Sequence, residues 1–401
     1  MHHNLRRAFW ILIVTVAVLL ALAIPAAHSG PGSRTANGLP PAGPQGWRLA
    51  QPVTYENLTI FPVIAPQDLD TSEFATLDEA LASGDAVVTE QGDYLRRSRD
   101  GRLPPDFSSG AQVNQLVLIN RGKRPLVLLA GEVVSGGKQD RIIAKDRIVP
   151  VGAAPLPLDV FCVEHGRWTG GSDKFSAGNL MVHPSVREKA AVEQNQSEVW
   201  AAVRGETAPV GQAGTNAGIG VAGSSESVSV EGRAAAPPPI SATIIGGVIA
   251  GTAPSQSYQK IYKSSPIGIS VENFAEEIER RFDRATGDLK GEHVVGVVVA
   301  FGGEIAWSDI FASSRMFDIY RSKLLRSYAV EALTRPGVRE KVSLDEAQDF
   351  LRPATGHIEE ESEPGIYTWR KQSAGRISEI ELAALAPKPM TLHWLRVLRA
   401  D

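Results

Sequence analysis

Two clusters of polar residues in the middle of this chain flank strongly apolar segments, and their residue types suit the binding of a polar ligand. The first cluster runs from Glu132 to Arg141, and the second runs from Glu164 to Trp168. Carboxylates can act as general acid and base or hold a cation, while lysine and arginine can bind phosphate or carboxylate. Glycines beside them allow the backbone to approach a ligand closely. The catalytic candidates are Glu132 and Glu164, and the ligand-binding candidates are Gly137, Lys138, Gln139, Arg141, Arg167 and Trp168.

These clusters have two interpretations. If the strands that carry them are neighbours, their polar ends converge on one pocket, and Trp168 can stack on a ligand ring. The same charges can instead form an internal ion-pair network that locks the end of a sheet and binds nothing. The residue types alone leave both alternatives open.

The only cysteine, Cys162, is followed three residues later by His165, which suggests a nucleophile with a nearby base. Strand periodicity argues against this pair. Cys162 shares a strand face with Leu158 and Val160, whereas His165 lies on the opposite face. A thiol among aliphatic side chains is usually a core residue with a raised pKa. We therefore predict that Cys162 belongs to the core.

We expect no cofactor and no metal site. The eight histidines are scattered, and no H-x-x-x-H, H-E-x-x-H, P-loop or G-x-S-x-G pattern occurs. Asp309 and His393 lie within apolar strands and are expected to be local hydrogen-bonding partners rather than catalysts. A net charge of −4 provides no electrostatic footprint for nucleic acid, so that class of partner is excluded.

The N-terminus predicts export. Arg6 and Arg7 precede an unbroken apolar run, Ala8 to Ile24, and the small residues Ala27-His28-Ser29 follow it. Residues 1–29 therefore act as a cleaved signal peptide or as an N-terminal membrane anchor. Because the basic residues precede the run, the body of the protein is expected to be extracytoplasmic, either periplasmic or held at the membrane by residues 8–24.

Composition divides the rest of the chain into four parts. Residues 30–54 are rich in Gly, Pro, Ser and Ala and predict a flexible tether. Residues 205–265 are dominated by Gly, Ala, Ser and Pro, and such a segment buries too little apolar surface to offset its ordering entropy. We predict a disordered insertion there. Residues 55–204 and 266–401 then form the two halves of one globular domain.

The predicted fold class is α+β, with mixed, mostly antiparallel sheets packed against a few helices. The apolar run His293–Phe301 predicts a central strand buried on both faces, followed by a hairpin turn at Gly302-Gly303. Capping boxes that begin at Thr76 and Ser343 predict two helix starts.

Local signals predict further elements. Val113–Ile119 and Pro125–Leu129 are β-rich and flank a glycine-containing loop, which predicts a hairpin. One strand is predicted from Arg141 to Val149. Ser185 is placed to cap a helix that runs to about Arg204, and a long amphipathic helix is predicted from about Ser314 to Thr334.

Three blocks of sequence resemble the ADP-ribosylglycohydrolase (ARG) and rhodanese-phosphatase-superfamily-associated protein domain. They are GEVVSGGKQDR, FCVEHGRW and VVGVVVAFGGEIAWSDIFASSRMFDIYRSKLLRSYAVEAL, and the likeness extends from about Asn57 to Leu398. The family name implies an association with ADP-ribose metabolism, which is not evidence of a reaction. The residues that match its motifs are Glu132, Gly137, Lys138, Gln139, Arg141, Glu164, Gly166, Arg167 and Trp168.

Three functions follow as hypotheses, and whether the protein is an enzyme stays open. The first is an exported module that binds a polar small molecule or peptide at the Glu132/Glu164 region, since no nucleophile–base pair has supporting spacing. The second is a hydrolase for an ADP-ribosyl or other phosphate-bearing substrate, with Glu132 or Glu164 as general base. The third is an envelope scaffold that contacts partners through the insertion. The membrane is a partner only through an uncleaved leader.

Overall fold

Alternating apolar residues and capped helices produce an α+β fold, as the sequence predicts. The computed structural model describes residues 46–97, 114–165, 172, 174–203, 256–263, 265–335 and 337–399. The strands are β1 (Arg48–Leu49), β2 (Val53–Tyr55), β3 (Leu58–Ala65), β4 (Ala75–Thr76), β5 (Ala86–Thr89), β6 (Gln115–Asn120), β7 (Leu126–Leu128), β8 (Glu132–Gly136), β9 (Arg141–Ile143), β10 (Arg147–Val149), β11 (Leu156–Cys162), β12 (Glu164–His165), β13 (Phe175–Met181), β14 (Gln256–Ser257), β15 (His293–Phe301), β16 (Glu304–Phe311), β17 (His357–Glu363), β18 (Tyr367–Ala374), β19 (Ile377–Ala384) and β20 (Met390–Leu398). The helices are α1 (Leu77–Ser83), α2 (Gln91–Arg97), α3 (Pro184–Ala191), α4 (Gln196–Val203), α5 (Lys260–Lys263), α6 (Ser265–Gly287), α7 (Ser314–Thr334) and α8 (Leu344–Phe350).

A nine-stranded antiparallel sheet forms the larger layer. Its order is β1-β3-β15-β16-β20-β19-β18-β17. The ninth strand, β2, is not part of this order and pairs with β3. Val297 and Val299 of β15 pack into a cluster that includes the buried faces of α6 and α7, whereas Val298 and Ala300 pack with α8 on the other side. The prediction that this strand is central and buried on both faces is confirmed.

A six-stranded antiparallel sheet, of order β13-β8-β9-β11-β6-β5, carries Glu132 on β8 and Arg141 on β9. One of its faces encloses a separate apolar cluster with α1, to which Val134, Ile143 and Val160 contribute. A three-stranded sheet of order β10-β7-β4 and a two-stranded pair, β12 with β14, complete the strands that the structure describes.

Side-chain caps set the starts of several helices. At α1, Thr76 Oγ1 accepts the N–H of Glu79, and the Glu79 carboxylate accepts the N–H of Thr76 in return, so the predicted capping box is present. Gly84 ends this helix in the left-handed conformation, with φ of 80°. The same reciprocal box opens α8 at Ser343. At α7, Ser313 Oγ accepts the N–H of Met316 at 3.0 Å.

The predicted hairpin between residues 113 and 129 is wrong. Strand β6 pairs with β5 and β11, whereas β7 pairs with β10 and β4 in a different sheet. The side chain of Asn120 donates to the carbonyls of Arg124, Val149 and Pro150, so the loop crosses to the second sheet instead of returning along the first. The predicted strand over 141–149 is likewise two strands, β9 and β10, because Ala144–Asp146 leave the ladder.

The predicted helix from Ser185 to Arg204 is two helices, α3 and α4. Pro184 occupies the first turn of α3, where its missing N–H has no consequence, and His183 is the N-cap residue. Ser185 does not cap the helix, because its hydroxyl donates to Glu331 Oε1 at 2.7 Å. Gln194, with φ of 53°, interrupts the helical path before α4 begins.

Folded residues extend into the C-terminal ends of both the predicted tether and the predicted insertion. The described end of the predicted tether is folded, since Trp47, Leu49 and Val53 are buried in the core. The described end of the predicted insertion is folded as well, because Tyr258 and Ile261 are fully buried and the Tyr258 hydroxyl accepts the N–H of His183. Short elements supply these contacts, so composition averaged over a long window does not detect them.

The predicted leader and the first part of the tether lie outside the described residues. Within the ranges that the structure describes, no helix combines the length and the apolar character needed to cross a membrane.

Candidate functional site

The Gly136-Gly137 turn at the end of β8 is a site of close packing. Gly136 has φ of 137° and Gly137 has φ of 49°. A Cβ atom on Gly137 would lie 2.4 Å from the ring of Phe175 and 2.8 Å from Glu90 Oε1. The same Glu90 oxygen accepts the backbone N–H of Lys138 at 3.0 Å. The glycines therefore let the turn approach neighbouring protein groups, rather than an empty space.

Arg141 lies directly opposite Cys162 in the β9–β11 ladder. Its side chain is 1% exposed. Nη1 donates to the carbonyl of Asp140 at a long 3.4 Å, and Nε has no hydrogen-bond partner. No carboxylate of the described residues forms an ion pair with this guanidinium. Arg141 is thus a buried cation whose charge is not matched by a paired carboxylate in the part of the chain that the structure describes.

Glu164 lies at the same strand end as Arg141. Its side chain is 1% exposed, and Oε2 accepts the N–H of Asp140 at 2.7 Å. Gln139 is also buried, whereas Lys138 is exposed at the turn. The structure therefore brings these predicted residues together with Gly137. Arg167 and Trp168 lie outside the described residues.

Glu132 lies at the opposite end of the same strands. In the ladder, Arg141 faces Val134 on one side and Cys162 on the other. Glu132 lies two residues from Val134, and Glu164 lies two residues from Cys162 in the opposite direction along the strands. At 3.3 Å per residue, the two carboxylate-bearing residues are therefore about 13 Å apart along the strand axis. The structure does not bring the two candidate carboxylates into one pocket.

Glu132 forms a buried ion pair instead. Lys323 Nζ donates to Glu132 Oε1 and to Asp78 Oδ2, each at 2.5 Å, and the N–H of Leu129 donates to Glu132 Oε2 at 2.7 Å. Burial raises the pKa of Glu132, and the charge of Lys323 opposes this rise. The contacts join α1, β8 and α7, so the described surroundings of Glu132 indicate a structural role.

Cys162 is a core residue, as strand periodicity predicts. Its thiol is buried, and burial raises its pKa despite the opposing charge of Arg141. The amide side chain of Gln196 clamps its backbone, accepting the Cys162 N–H at 2.8 Å and donating to the Cys162 carbonyl at 3.1 Å. Val160 packs into one apolar cluster and Phe161 into the other, which confirms the two-faced strand.

A second polar cluster is centred on Asp309 of β16, which is fully buried. Arg187 Nη1 donates to both of its carboxylate oxygens, at 2.7 and 2.9 Å. Trp307 Nε1–H and the Tyr328 hydroxyl donate to Oδ2 at 2.7 and 2.5 Å. His393 Nε2 lies 3.0 Å from Oδ1. Both carboxylate oxygens of Asp309 therefore have hydrogen-bond partners within the protein.

His393 extends this cluster to the second layer of the fold. Its Nδ1 lies 2.6 Å from Asp146 Oδ2, and Asp146 Oδ1 accepts the N–H of Ala130 at 2.7 Å. Arg187 Nε donates to the carbonyl of the same Ala130 at 2.8 Å. We call Asp146, Arg187, Asp309, Tyr328 and His393 the buried network; it joins the nine-stranded sheet to α3, α7 and the loop before β8.

Sequence reasoning identified two of the five residues of this network. Asp309 and His393 were predicted to be local hydrogen-bonding partners because each is a polar residue within an apolar strand, and both form such bonds. Asp146 and Arg187 were missed. They lie in a loop and on a helix at sequence separations of 247 and 122 residues from their partners, so no local pattern marks them.

One protein-family model matches nearly the whole of the folded part of the chain. The family is the ARG and Rhodanese-Phosphatase-superfamily-associated Protein domain, and its model matches residues 46–396. The chain belongs to this family. No curated protein and no solved structure matches the chain.

Opposite charges stabilise one another within the buried network of this ARG and Rhodanese-Phosphatase-superfamily-associated domain. Burial opposes the ionisation of Asp309, but Arg187 and His393 outweigh it and lower the pKa of Asp309. Burial likewise opposes protonation of His393, but Asp146 and Asp309 raise the pKa of His393 above its ordinary value. Each charge is therefore held by a protein partner of opposite sign, which is the arrangement of a structural lock.

Metal chemistry has no support among the described residues of this family member. No group of three or more His, Cys, Asp or Glu side chains in those ranges is arranged to hold an ion. The strand end at Lys138, Arg141 and Glu164 instead offers one buried guanidinium, one exposed ammonium and one buried carboxylate. This combination can bind an anionic or polar group.

Proposed function

We propose that this chain is an exported module that binds a polar small molecule or peptide carrying an anionic group. The site is the strand end formed by Lys138, Arg141 and Glu164. A single observation carries the proposal: Arg141 is buried, and its guanidinium forms no ion pair with any carboxylate of the described residues.

The free-energy cost of burying the Arg141 charge supports the presence of an anionic ligand. Removing an ion from water costs several kcal/mol even after relaxation, and proteins normally offset this cost with a partner of opposite charge. Arg187, which is equally buried, follows this rule through Asp309. An anionic ligand at Arg141 would supply the missing charge, and arginine suits carboxylate and phosphate because its planar fork can donate two parallel hydrogen bonds.

The neighbours of Arg141 support recognition of a ligand with mixed polarity. Lys138 is exposed at the turn next to the site, so its ammonium group can meet an anion that arrives from solvent. Glu164 places a buried carboxylate at the same strand end, where it adds a group of opposite sign to the site.

Binding is favoured over turnover. A general base must reach the proton that it removes, and Glu132 is occupied by Lys323 and a backbone N–H at the far end of the strands. Cys162 is buried with a raised pKa and has backbone contacts to Gln196, which suit packing. No observation on these residues favours the hydrolase or scaffold alternatives.

The extracytoplasmic location is part of the proposal and rests on the first 29 residues. The basic pair Arg6-Arg7 and the apolar run that follows are typical of an export signal. N-terminal sequencing of protein from a fractionated cell tests this point. A new N-terminus near Ser29 in the periplasmic fraction fits a cleaved signal, and an intact N-terminus in the membrane fraction fits an anchor. Intact protein in the cytoplasm would contradict export.

Thermal unfolding in the presence of candidate ligands tests the binding function. The chain would be screened against nucleotides, ADP-ribose, phosphorylated sugars, organic acids and short acidic peptides. A ligand at 100 times its Kd stabilises the folded state by about 2.7 kcal/mol, so a true ligand gives a clear shift. We expect Lys138→Ala to weaken the hit, and Lys123→Ala, an exposed lysine of another turn, to leave it unchanged. If every hit shifts both variants and the wild type equally, the strand-end site is wrong.

A further inference from the structure

A cavity of about 340 Å³ lies between α2 and the outer face of strands β5 and β6. Its residues are Val87, Thr89, Tyr94, Arg97, Ile119, Arg121 and Lys174, and we call it the basic cavity. Its volume falls at the lower end of the range for small-molecule sites, about 300–1,000 Å³.

The register of the sheet explains why this cavity has an apolar floor. Val87 pairs with Ile119 across the β5–β6 ladder, so their side chains share one face. Val88 and Leu118 alternate to the other face and belong to the apolar cluster of the six-stranded sheet. The floor therefore faces away from that cluster and lies under α2.

The rim of the basic cavity carries one sign of charge. Arg97, Arg121 and Lys174 are all cationic, and no carboxylate is among the residues that line the cavity. Neither Arg121 nor Lys174 forms an ion pair with a carboxylate of the described residues. The cations come from three separate elements, α2, the loop after β6 and the segment before β13, so the fold brings them together.

Two acidic residues near α2 are engaged elsewhere, and a third, Asp85, accepts the backbone N–H of Arg121 at its carbonyl without lining the cavity. Asp93 of α2 pairs with Arg96, which does not line the cavity. Glu90, at the start of α2, accepts the N–H of Lys138. The backbone of Lys174 is fixed beside the Gly136 turn, where its carbonyl oxygen lies 2.6 Å from the position of a Cβ on that glycine. Lys174 is therefore anchored at its backbone while its side chain is exposed.

A second cavity shows that this charge pattern is specific. It measures about 220 Å³ and is lined by Lys145 and Arg147 together with Asp159, Glu361 and Glu363. Its three carboxylates more than offset its two cations, and Lys145 pairs with Glu361. The basic cavity has no such compensation among its lining residues.

We propose that the basic cavity binds a small organic oxyanion, one with a phosphate or carboxylate group attached to a compact apolar body. The oxyanion meets Arg121 and Lys174 at the rim, with Arg97 adding a third positive charge. The hydroxyl group of Tyr94 is suited to donate a hydrogen bond to the ligand. The apolar body covers Val87 and Ile119 and leaves water. This site is separate from the strand end at Arg141 and goes beyond the proposed function.

Calorimetric titration with phenyl phosphate tests the proposal, with benzoate, inorganic phosphate and benzyl alcohol as comparison ligands. We expect one site for phenyl phosphate, tighter binding than for inorganic phosphate because of the apolar floor, and no detectable binding of benzyl alcohol. The ratio of phenyl phosphate to benzoate affinity distinguishes a phosphate site from a carboxylate site. Binding should weaken as salt is added, because the rim charges are exposed.

The variant Arg121→Ala/Lys174→Ala is expected to weaken phenyl phosphate binding about tenfold or more, since charge-assisted hydrogen bonds are lost. Both residues are exposed, so the fold should survive, which the thermal midpoint checks. Lys123→Ala, an exposed lysine two residues from Arg121 that does not line the cavity, should leave affinity unchanged. Arg141→Met should also leave it unchanged, which separates this site from the proposed function.

Three results would overturn the proposal. The first is the absence of binding by both phenyl phosphate and benzoate at millimolar concentration. The second is equal affinity for phenyl phosphate and inorganic phosphate, because the apolar floor would then make no contribution. The third is an equal loss in Lys123→Ala and in the double variant, because diffuse surface charge would then explain the binding.

Discussion

Arg187 and Asp309 form a fully buried ion pair in which Nη1 of the arginine lies 2.7 Å from Oδ1 and 2.9 Å from Oδ2 of the carboxylate. This pair joins α3 to the second strand of the central hairpin. His393 and Asp146 continue the contacts into the loop between β9 and β10. The layers of the fold are therefore held together by charges as well as by apolar packing.

The first prediction concerns this pair. Arg187→Met leaves the Asp309 carboxylate buried without its main partner, so the free energy of unfolding should fall by about 3–5 kcal/mol. Urea denaturation of the variant and the wild type measures the change. The exposed Arg352→Met is the control and should alter stability by less than about 1 kcal/mol. A loss below 1 kcal/mol in Arg187→Met would contradict the structural lock.

The second prediction concerns Glu132, Lys323 and Asp78. Lys323→Met leaves two carboxylates close together without their shared ammonium, so stability should fall by about 3–5 kcal/mol. The double variant Lys323→Met/Glu132→Gln removes the uncompensated charge and should recover part of that loss. A double-mutant cycle measures the coupling. Additive losses would mean that Glu132 and Lys323 do not depend on each other.

The third prediction compares two glycines. Gly84→Ala meets no atom within 4 Å and should lose only the backbone preference, about 1–2 kcal/mol. Gly137→Ala has the same kind of backbone strain and also brings its Cβ against the ring of Phe175, so a further loss of about 1–3 kcal/mol is expected. Denaturation of the two variants side by side gives the difference. Equal losses would show that the Gly137 turn is not closely packed.

The fourth prediction is a pH dependence from Glu188 of α3. Burial raises the pKa of Glu188 to about 7, with Lys189 acting in the opposite direction. The folded state therefore binds a proton more tightly than the unfolded state, and stability falls as pH rises from the ordinary carboxyl range to about 7. At about 1.4 kcal/mol per pKa unit this amounts to roughly 2–3 kcal/mol.

Glu188→Gln removes this dependence, so its unfolding free energy should change less than that of the wild type between pH 4.5 and pH 7. Glu276→Gln, an exposed carboxylate on α6, is the control and should keep the wild-type slope. Identical slopes for wild type and Glu188→Gln would show that this carboxyl is not buried in solution.

Local signals were sufficient for the elements whose causes are local. The capping boxes at Thr76 and Ser343 fix their helix starts through contacts three residues apart. The valine-rich apolar run of β15 indicates a strand buried on both faces, because β-branched residues favour strands and an uninterrupted apolar run has no solvent-facing side. The hairpin at β6 and β7 failed for the opposite reason. Its outcome depends on Asn120 contacting carbonyls 29 and 30 residues away.

The expectation that the candidate residues converge was fulfilled only in part. Arg141 and Glu164 lie at one strand end, because β9 and β11 are neighbours. Glu132 is on the adjacent strand β8, but the antiparallel register carries it to the other end. Register depends on pairings between distant segments, and the residue types of single strands do not reveal it.

Arg141→Met tests the central claim most directly, by urea denaturation with and without the best ligand from the screen. The account predicts that the ligand-free variant is as stable as the wild type or more stable by about 1–4 kcal/mol, because methionine replaces an uncompensated buried charge. It also predicts that the ligand no longer stabilises the variant. A ligand-free loss of 3 kcal/mol or more, or ligand stabilisation that persists in Arg141→Met, would contradict the assignment of Arg141 as the ligand-binding cation.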